Sequence, residues 1–571
     1  MSTDRFRPKL RAYPWTSVVL FLITAVVLVY GVIYPNLAVA ATSLQRAGEW
    51  TLANYRDVLS QQIVIEAIFS SLGLSIGTVV FCAMVGVPLA FLFERFTFPG
   101  RRLFAALAAL PLVLPPLVGT VAFIFLFGES GILAHGIQNL FSLQTSPWRL
   151  RGWPALLLFH TYTMYPFFYV LTGAGLRRID ANLAEAARSL GASRINVFKR
   201  VLLPQLTPSL LAAALLTFMT SMASFSAPLF FGGNVRVLTL EIFTARQRGD
   251  VVMAVTQTVI LAAISLAALV FFQRYEGTGK FAAAAMKGAP RRRVSIASGK
   301  ARVIATLAAI IFAVVLVAPV ATLLLVSFAR EGSWTTQTFP AEYSVANYQQ
   351  LFADPYAAEV FLNSFTMSGV AALVALGWSF CVVILLRRGK DKPDLIGEGW
   401  RRLLSLLVLI PWALPGTVVA VSVAEAYGQP SALMGSFVLV GTFWILPVVY
   451  FLRFMPLVVR ALQASMEQLD PTLEEAAGSL GARVWQRFMR VTLPLVWPGA
   501  VAGTLLAFVI ALGEYVASVL VFVPTNRPIS IAIASELRDF NLGGAAAYGV
   551  VLMAVISISM LIAGKLERLR G

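Results

Sequence analysis

Charge is what this sequence has least of. Lys, Arg, Asp and Glu together make up 13% of 571 residues, against about 25% in a soluble globular chain. That shortage excludes an ordinary water-facing surface. Acidic residues are scarcer than basic ones, 27 against 45, an excess that would suggest nucleic acid in a soluble protein. Two cysteines, Cys82 and Cys381, both stand inside apolar runs, so no disulfide framework is drawn. Two histidines, His135 and His160, are too few for a histidine-built metal or catalytic centre, and neither a metal site nor a catalytic residue is expected. The Gly-Lys pairs Gly279-Lys280, Gly299-Lys300 and Gly564-Lys565 lack the upstream glycine and following Ser or Thr of a phosphate-binding loop. No cofactor is expected in this chain.

What is abundant is apolar sequence. Hydrophobic residues reach 58% and mean hydropathy is +0.79, concentrated in runs of about 20 or more residues, the length that crosses a bilayer as helix. The runs are 15–42, 63–92, 102–127, 153–176, 205–231 and 251–274, then 301–328, 359–387, 400–427, 432–458, 495–523 and 547–566. Six and six predict an all-α polytopic membrane protein of about twelve transmembrane helices. A basic Gly/Ala-rich linker, RYEGTGKFAAAAMKGAPRRRVSIASGKAR, separates the sets and divides the chain into 1–290 and 291–571. The N-terminal RFRPKLRAYPW precedes a run too long for the short core of a cleaved signal, and it reads as a retained span.

The basic residues sort the loops. Arg5–Arg11, Arg95–Arg102, Arg177–Arg200, Arg274–Arg302, Arg387–Arg402, Arg460–Arg490 and Lys565–Arg570 fall on one side if the N-terminus is cytoplasmic. Arg236, Arg246 and Arg248 sit in a loop on the other side. The positive charge thus reports topology and contact with lipid headgroups, not nucleic acid.

Two of these basic loops repeat one another. EAARSLGASRINVFKRVLLPQLTP begins at Glu185 and EAAGSLGARVWQRFMRVTLPLVWP at Glu475, an offset of 475 − 185 = 290, with 13 of 24 positions identical. Asp180 and Asp470 stand near the helix starts, the following residues are good helix formers, and Gly191 and Gly481 suit a left-handed C-terminal position. The pattern predicts a short helix, a turn and a second short helix before each following span, within 178–204 and 468–494. Other features repeat too: Asn54-Tyr55 with Asn347-Tyr348, and Pro111 and Pro115 with Pro411 and Pro415. Because each half carries an even number of spans, the repeats are parallel, related by an axis along the membrane normal. Two matched loops need a partner that binds twice.

Glu185-Ala186-Ala187 with Gly191, and Glu475-Ala476-Ala477 with Gly481, resemble the EAA loop of ABC importer permeases, including its spacing of three residues before the glycine. The resemblance covers essentially the whole chain as a fused two-half form of the type I importer permease. It implies that both loops dock on two ABC ATPase subunits at the cytoplasmic face. ATP and magnesium would be held by those subunits, and a periplasmic binding protein would deliver solute across the bacterial inner membrane. It further implies that each span after a coupling loop lines the translocation path. Arg188 is replaced by Gly478 in the second copy, so the docking surfaces are similar but not equal.

A charge inside a span costs about 2.5–3.5 kcal/mol at the helix centre and needs a reason. Glu514 lies deep in the eleventh run, and the 290-residue offset sets Ser224 against it in the fifth. The expected path residues are Ser221, Ser224, Ser226 and Glu514, with Tyr165 from the fourth run; the other reading of Glu514 is an inter-helix bond. Tyr162, Tyr165 and Tyr169 share a helical face loosened by Pro166, and His160 reads as a packing histidine. Glu425 stands at the outer end of the ninth run.

Fused permeases of this length resemble ferric-iron importers, and also those for thiamine and phosphonates. The ANY, PPLVG and ALGEY segments fit the iron group best. An ion-coupled secondary transporter is the alternative of another class; it would lack duplicated docking loops.

Overall fold

The computed structural model describes residues 15–277, 293–296, 298–334, 337–387, 397–431 and 435–568. The chain is all-α, with two two-stranded ladders of two residues per strand. The expected boundary at residue 290 lies outside the described residues.

Ten helices among the described residues are long and apolar enough to cross a membrane, eleven when a bent pair is taken as one span. The expected twelve therefore need one correction. The run 153–176 is a helix, Gly152–Arg178, roughly 40 Å long at 1.5 Å per residue. His160, Thr161, Tyr162, Thr163, Tyr165 and Tyr169 dilute its apolar character. It is long enough to span but falls short of the others in composition. The tenth run also shifts: its helix is Ile445–Glu467, because Gly435 and Gly441 take positive φ and keep the preceding residues irregular.

For convenience the segments are numbered as spans in chain order. Spans 1 to 6 are Val18–Ser43, Gln62–Arg95, Pro116–Leu140 with the short helix Arg101–Leu107 broken from its start, Gly152–Arg178, Ile195–Met222 and Val251–Arg274. Spans 7 to 12 are Gly299–Ser327, Pro355–Leu386, the bent pair Glu398–Ala413 with Gly416–Ala426, Ile445–Glu467, Trp485–Leu512 and Leu542–Lys565.

The third span of each half is broken by its duplicated prolines. Proline lacks the N–H that would continue the helix, and it drives its predecessor to extended geometry. Leu114 (ψ 122°) and Leu414 (ψ 137°) show that geometry before Pro115 and Pro415. The second-half pair bends by 106°.

Spans 2, 4 and 5 pack on one another, as do spans 8, 10 and 11. Span 1 crosses to pack against spans 8 and 9 of the other half, and span 7 packs against the broken span 3. Tyr162 fastens this crossing by donating its hydroxyl to the Leu316 carbonyl of span 7 at 2.9 Å. The halves are interlocked, each first span wrapped onto the opposite bundle.

The Asn-Tyr repeats close the ends of those wrapped spans. Asn54 donates its amide to the carbonyls of Ser43 and Gln45 at 3.0 and 2.9 Å, while Tyr55 and Ser43 hydroxyls meet at 2.7 Å. Asn347 bonds the carbonyls of Ser327 and Ala329 at 2.9 and 2.8 Å, and Tyr348 meets Ser327 at 2.7 Å. Each asparagine satisfies carbonyls that the helix end leaves free. Asn347→Ala is expected to lower stability by about 1–3 kcal/mol, the cost of unsatisfied buried groups. Thermal unfolding of the detergent-solubilised protein measures it, with Asn54→Ala giving a matching loss.

The residues leaving the linker are also anchored. Val294–Ser295 pairs in parallel with Phe96–Thr97 at the end of span 2. Glu94 there bridges Arg293, at 3.0 Å, and Arg177 at the end of span 4.

Candidate functional site

The two coupling elements fold alike. Asp180 caps the helix Ala181–Ser189 by accepting from the Asn182 amide, and Asp470 caps Pro471–Ser479 by accepting from Thr472, both at 3.0 Å. Such caps contribute about 1 kcal/mol each. The Thr472 amide and hydroxyl hold the Asp470 carboxyl below the ordinary carboxylate range.

Both helices end in the same glycine motif. Gly191 (φ +82°) and Gly481 (φ +83°) occupy the left-handed region expected of them. Their amides bond the carbonyls of residues 188 and 478 at 2.9 and 3.0 Å, and the amides of Ala192 and Ala482 reach back to Ala187 and Ala477, both at 3.0 Å. These are the two bonds of a Schellman turn.

The second short helix differs from expectation. Residues 194–202 are not a separate element but the start of span 5, continuous through a wide turn at Phe198–Leu202; span 11 does the same at Phe488–Thr492. Pro204 and Pro494 follow directly, and widening the preceding turn makes room for a ring that an α-helical turn would clash with. Each coupling helix is therefore joined by one tight turn to a rigid span.

Inward-facing groups seat the first element. Ala187 and Ala192 pack on a cluster of Ile179, Val197, Leu202 and Leu206. Outward, Glu185 and Glu475 are exposed, as are Ala186 and Ala476. Leu190 and Leu480 stand 88% and 89% exposed at equivalent positions. Two matched leucines thus stand in solvent beside matched carboxylates, the same apolar and acidic pair repeated on both elements. Glu474 is tied inward instead, accepting from Arg387 at the end of span 8 and from Thr492, both at 2.6 Å.

Residues near the bundle centre are placed by a second symmetrical device. Span 5 ends at Met222 and span 11 at Leu512, and short helices resume at Ser226 and Ser518. Ser224 and Glu514 lie in these breaks. Their freed carbonyls accept from Thr239 at 2.7 Å and Ser530 at 2.8 Å. Those hydroxyls sit on short helices, Leu238–Gln247 and Ile529–Arg538, whose first amides are capped by Ser71 of span 2 at 3.0 Å and Ser364 of span 8 at 2.7 Å. These hydroxyls supply partners to carbonyls that the breaks free, as irregular backbone inside a membrane bundle requires.

The side chains of the expected path residues engage neighbouring helices. His160 gathers Ser224 at 2.9 Å on Nε2, and Ser221 and Thr78 at 3.2 Å on Nδ1, so it is a packing histidine at the meeting of spans 2, 4 and 5. Thr120 donates to Ser226 at 3.4 Å. Tyr165 is buried and donates to the Ala108 carbonyl at 2.6 Å, and Tyr169 to Ala105 at 3.0 Å, so this face of span 4 braces span 3. Glu514, 6% exposed, meets Arg453 of span 10 with Nε–Oε2 at 3.4 Å and accepts from the Ala517 amide at 2.9 Å. The inter-helix reading of Glu514 describes its contacts in this structure. Glu425 accepts from Thr42 at 2.8 Å, joining the ends of spans 9 and 1.

Three residues escaped the sequence reading. Arg453 stands inside an apolar run and was visible as a lone charge there. Phe225 and Tyr515 are equivalent positions, 515 − 225 = 290, and their rings meet at 5.8 Å with 1% and 2% exposure. Through these rings the broken spans of the two halves touch.

Residues 84–275 and 396–570 each match the family described as binding-protein-dependent transport system inner membrane component. The chain belongs to this family. It is an ABC importer permease in fused two-half form, a multi-pass membrane protein, and not an ion-coupled secondary transporter. The permease is 30% identical over 563 residues to the "Probable ABC transporter permease protein y4fN" of Sinorhizobium fredii, covering 98% of this chain and 97% of the relative. It is 25% identical over 540 residues to the ferric transport system permease protein FbpB of Actinobacillus pleuropneumoniae, covering 92% of the permease and 74% of that protein. The sulfate transport system permease protein CysT of Salmonella typhimurium is 29% identical over 227 residues, covering 39% of this chain and 80% of its own.

Proposed function

We propose that this permease carries ferric iron inward, delivered by a periplasmic binding protein and driven by two ATPase subunits docked on the coupling helices. The N-terminus then lies in the cytoplasm, with both coupling helices on the same side. The observation that carries the coupling is the duplicated helix and Schellman turn, each exposing a glutamate and a leucine and joined directly to span 5 or 11. ATP-driven closure of the ATPases draws the two helices together and turns the spans that bear Ser224 and Glu514. The path runs between those breaks.

The iron reading rests on a ferric permease that matches across both halves, whereas the sulfate permease matches over one half's length. The test is to saturate the cognate binding protein in turn with ferric iron, thiamine, a phosphonate and sulfate. Uptake is then measured into proteoliposomes holding the permease and its ATPase. Iron uptake is the expected result; uptake of thiamine or phosphonate with none of iron reassigns the solute and leaves the coupling intact.

Phe225 and Tyr515 close the path in this arrangement. Phe225→Leu with Tyr515→Leu keeps apolar bulk but removes the ring contact, and is expected to raise ATP-independent solute flux severalfold. Unchanged passive flux places the closure elsewhere.

A further inference from the structure

The sequence difference between the coupling helices, Arg188 against Gly478, is compensated in space. Adding the offset to Val197 gives 197 + 290 = 487, and position 487 is arginine. In the first element Arg188 is exposed on the last turn of its helix and Val197 is buried at 2%. In the second, Arg487 folds back across Gly478. A methyl group built on Gly478 would stand 3.1 Å from Nη1, 3.7 Å from Cζ and 3.8 Å from Cδ of Arg487. The guanidinium therefore lies over the place where a side chain at 478 would begin. Its Nε is buried and makes no hydrogen bond among the described residues.

We propose that the two coupling helices present one guanidinium each over the same turn, from residue 188 in one and from residue 487 in the other. Gly478 is small because Arg487 needs the space. The last turn of a helix carries partial negative charge from its free carbonyls, which holds a cation there. An arginine held over that turn offers its remaining N–H groups outward in a fork suited to a carboxylate. The partner is an ATPase subunit with an acidic side chain in its docking cleft, and the shared position lets two copies of one subunit serve both helices. This rests on the ATPase-docking reading above.

The test uses the full permease and its ATPase, with affinity between them, coupled uptake and thermal stability of the permease measured for each variant. Arg188→Ala and Arg487→Ala are each expected to weaken ATPase binding about tenfold, the loss of one charge-assisted bond. Gly478→Arg alone weakens it similarly, because two guanidiniums compete for one place. Gly478→Arg with Arg487→Val rebuilds the first element's arrangement in the second and is expected to restore binding to within about twofold. The proposal is overturned if that double variant stays as weak as Gly478→Arg. It is also overturned if the arginine variants lower only thermal stability and leave ATPase affinity unchanged. Normal coupled uptake with Glu185 and Glu475 both altered would instead remove the docking reading itself.

Discussion

Glu185→Ala combined with Glu475→Ala is expected to cut coupled uptake about tenfold or more, while the associated ATPase continues to hydrolyse ATP. Both carboxylates are exposed, and among the described residues neither makes an ion pair or side-chain hydrogen bond within the chain. Their loss should leave thermal unfolding of the permease unmoved. Under the proposed docking what they hold lies on the ATPase, and a weakening of docking by about 1.4 kcal/mol is a factor of ten in affinity. Each coupling helix is rigidly continued, through the Gly191 or Gly481 turn, into span 5 or span 11. A loosened dock therefore leaves those spans unmoved when the ATPases close. Proteoliposomes reporting hydrolysis and uptake together decide it; uptake at the wild-type level would sink ATPase coupling through these helices.

Arg453→Leu is expected to destabilise the permease by about 3–5 kcal/mol, the cost of stranding one member of a buried ion pair. Glu514 would keep its bond from the Ala517 amide but lose its counter-charge inside the bundle. Arg453→Met with Glu514→Gln removes both charges and is expected to recover most of the lost stability, since a buried pair seldom outweighs its own desolvation. Uptake by that double variant then separates two roles. A stable protein with normal uptake makes the pair a strut between spans 10 and 11. A stable protein without uptake shows that Glu514 also acts on the solute.

Much of this fold was legible because membrane spans and helix ends are local signals. The apolar runs announced the spans, and Asp180, Asp470, Gly191 and Gly481 announced the coupling helices, since caps and left-handed glycines are set by their immediate neighbours. Spans 3 and 9 were read as single runs although Pro115 and Pro415 were in view, because hydropathy counts residues without regard to backbone hydrogen bonds. The continuity of 194–202 with span 5 was hidden for the opposite reason, as polar residues masked a helix that continues. Partners were the least legible. Nothing local joins Arg453 to Glu514, 61 residues away, or sets Arg487 across Gly478. The repeat offset does pair Phe225 with Tyr515, Arg188 with Gly478 and Val197 with Arg487, so that much of the signal stands in the sequence.

The two central breaks are braced by groups of different charge. Ser224 rests on an imidazole ringed by hydroxyls, whereas Glu514 rests on an arginine. In a symmetric homodimer either arrangement would face its own copy, giving two ion pairs or none. One continuous chain lets the two breaks differ, with a buried ion pair at one and only dipolar groups at the other. On the proposed path between the breaks, the local field is therefore one-sided, strongest beside span 11.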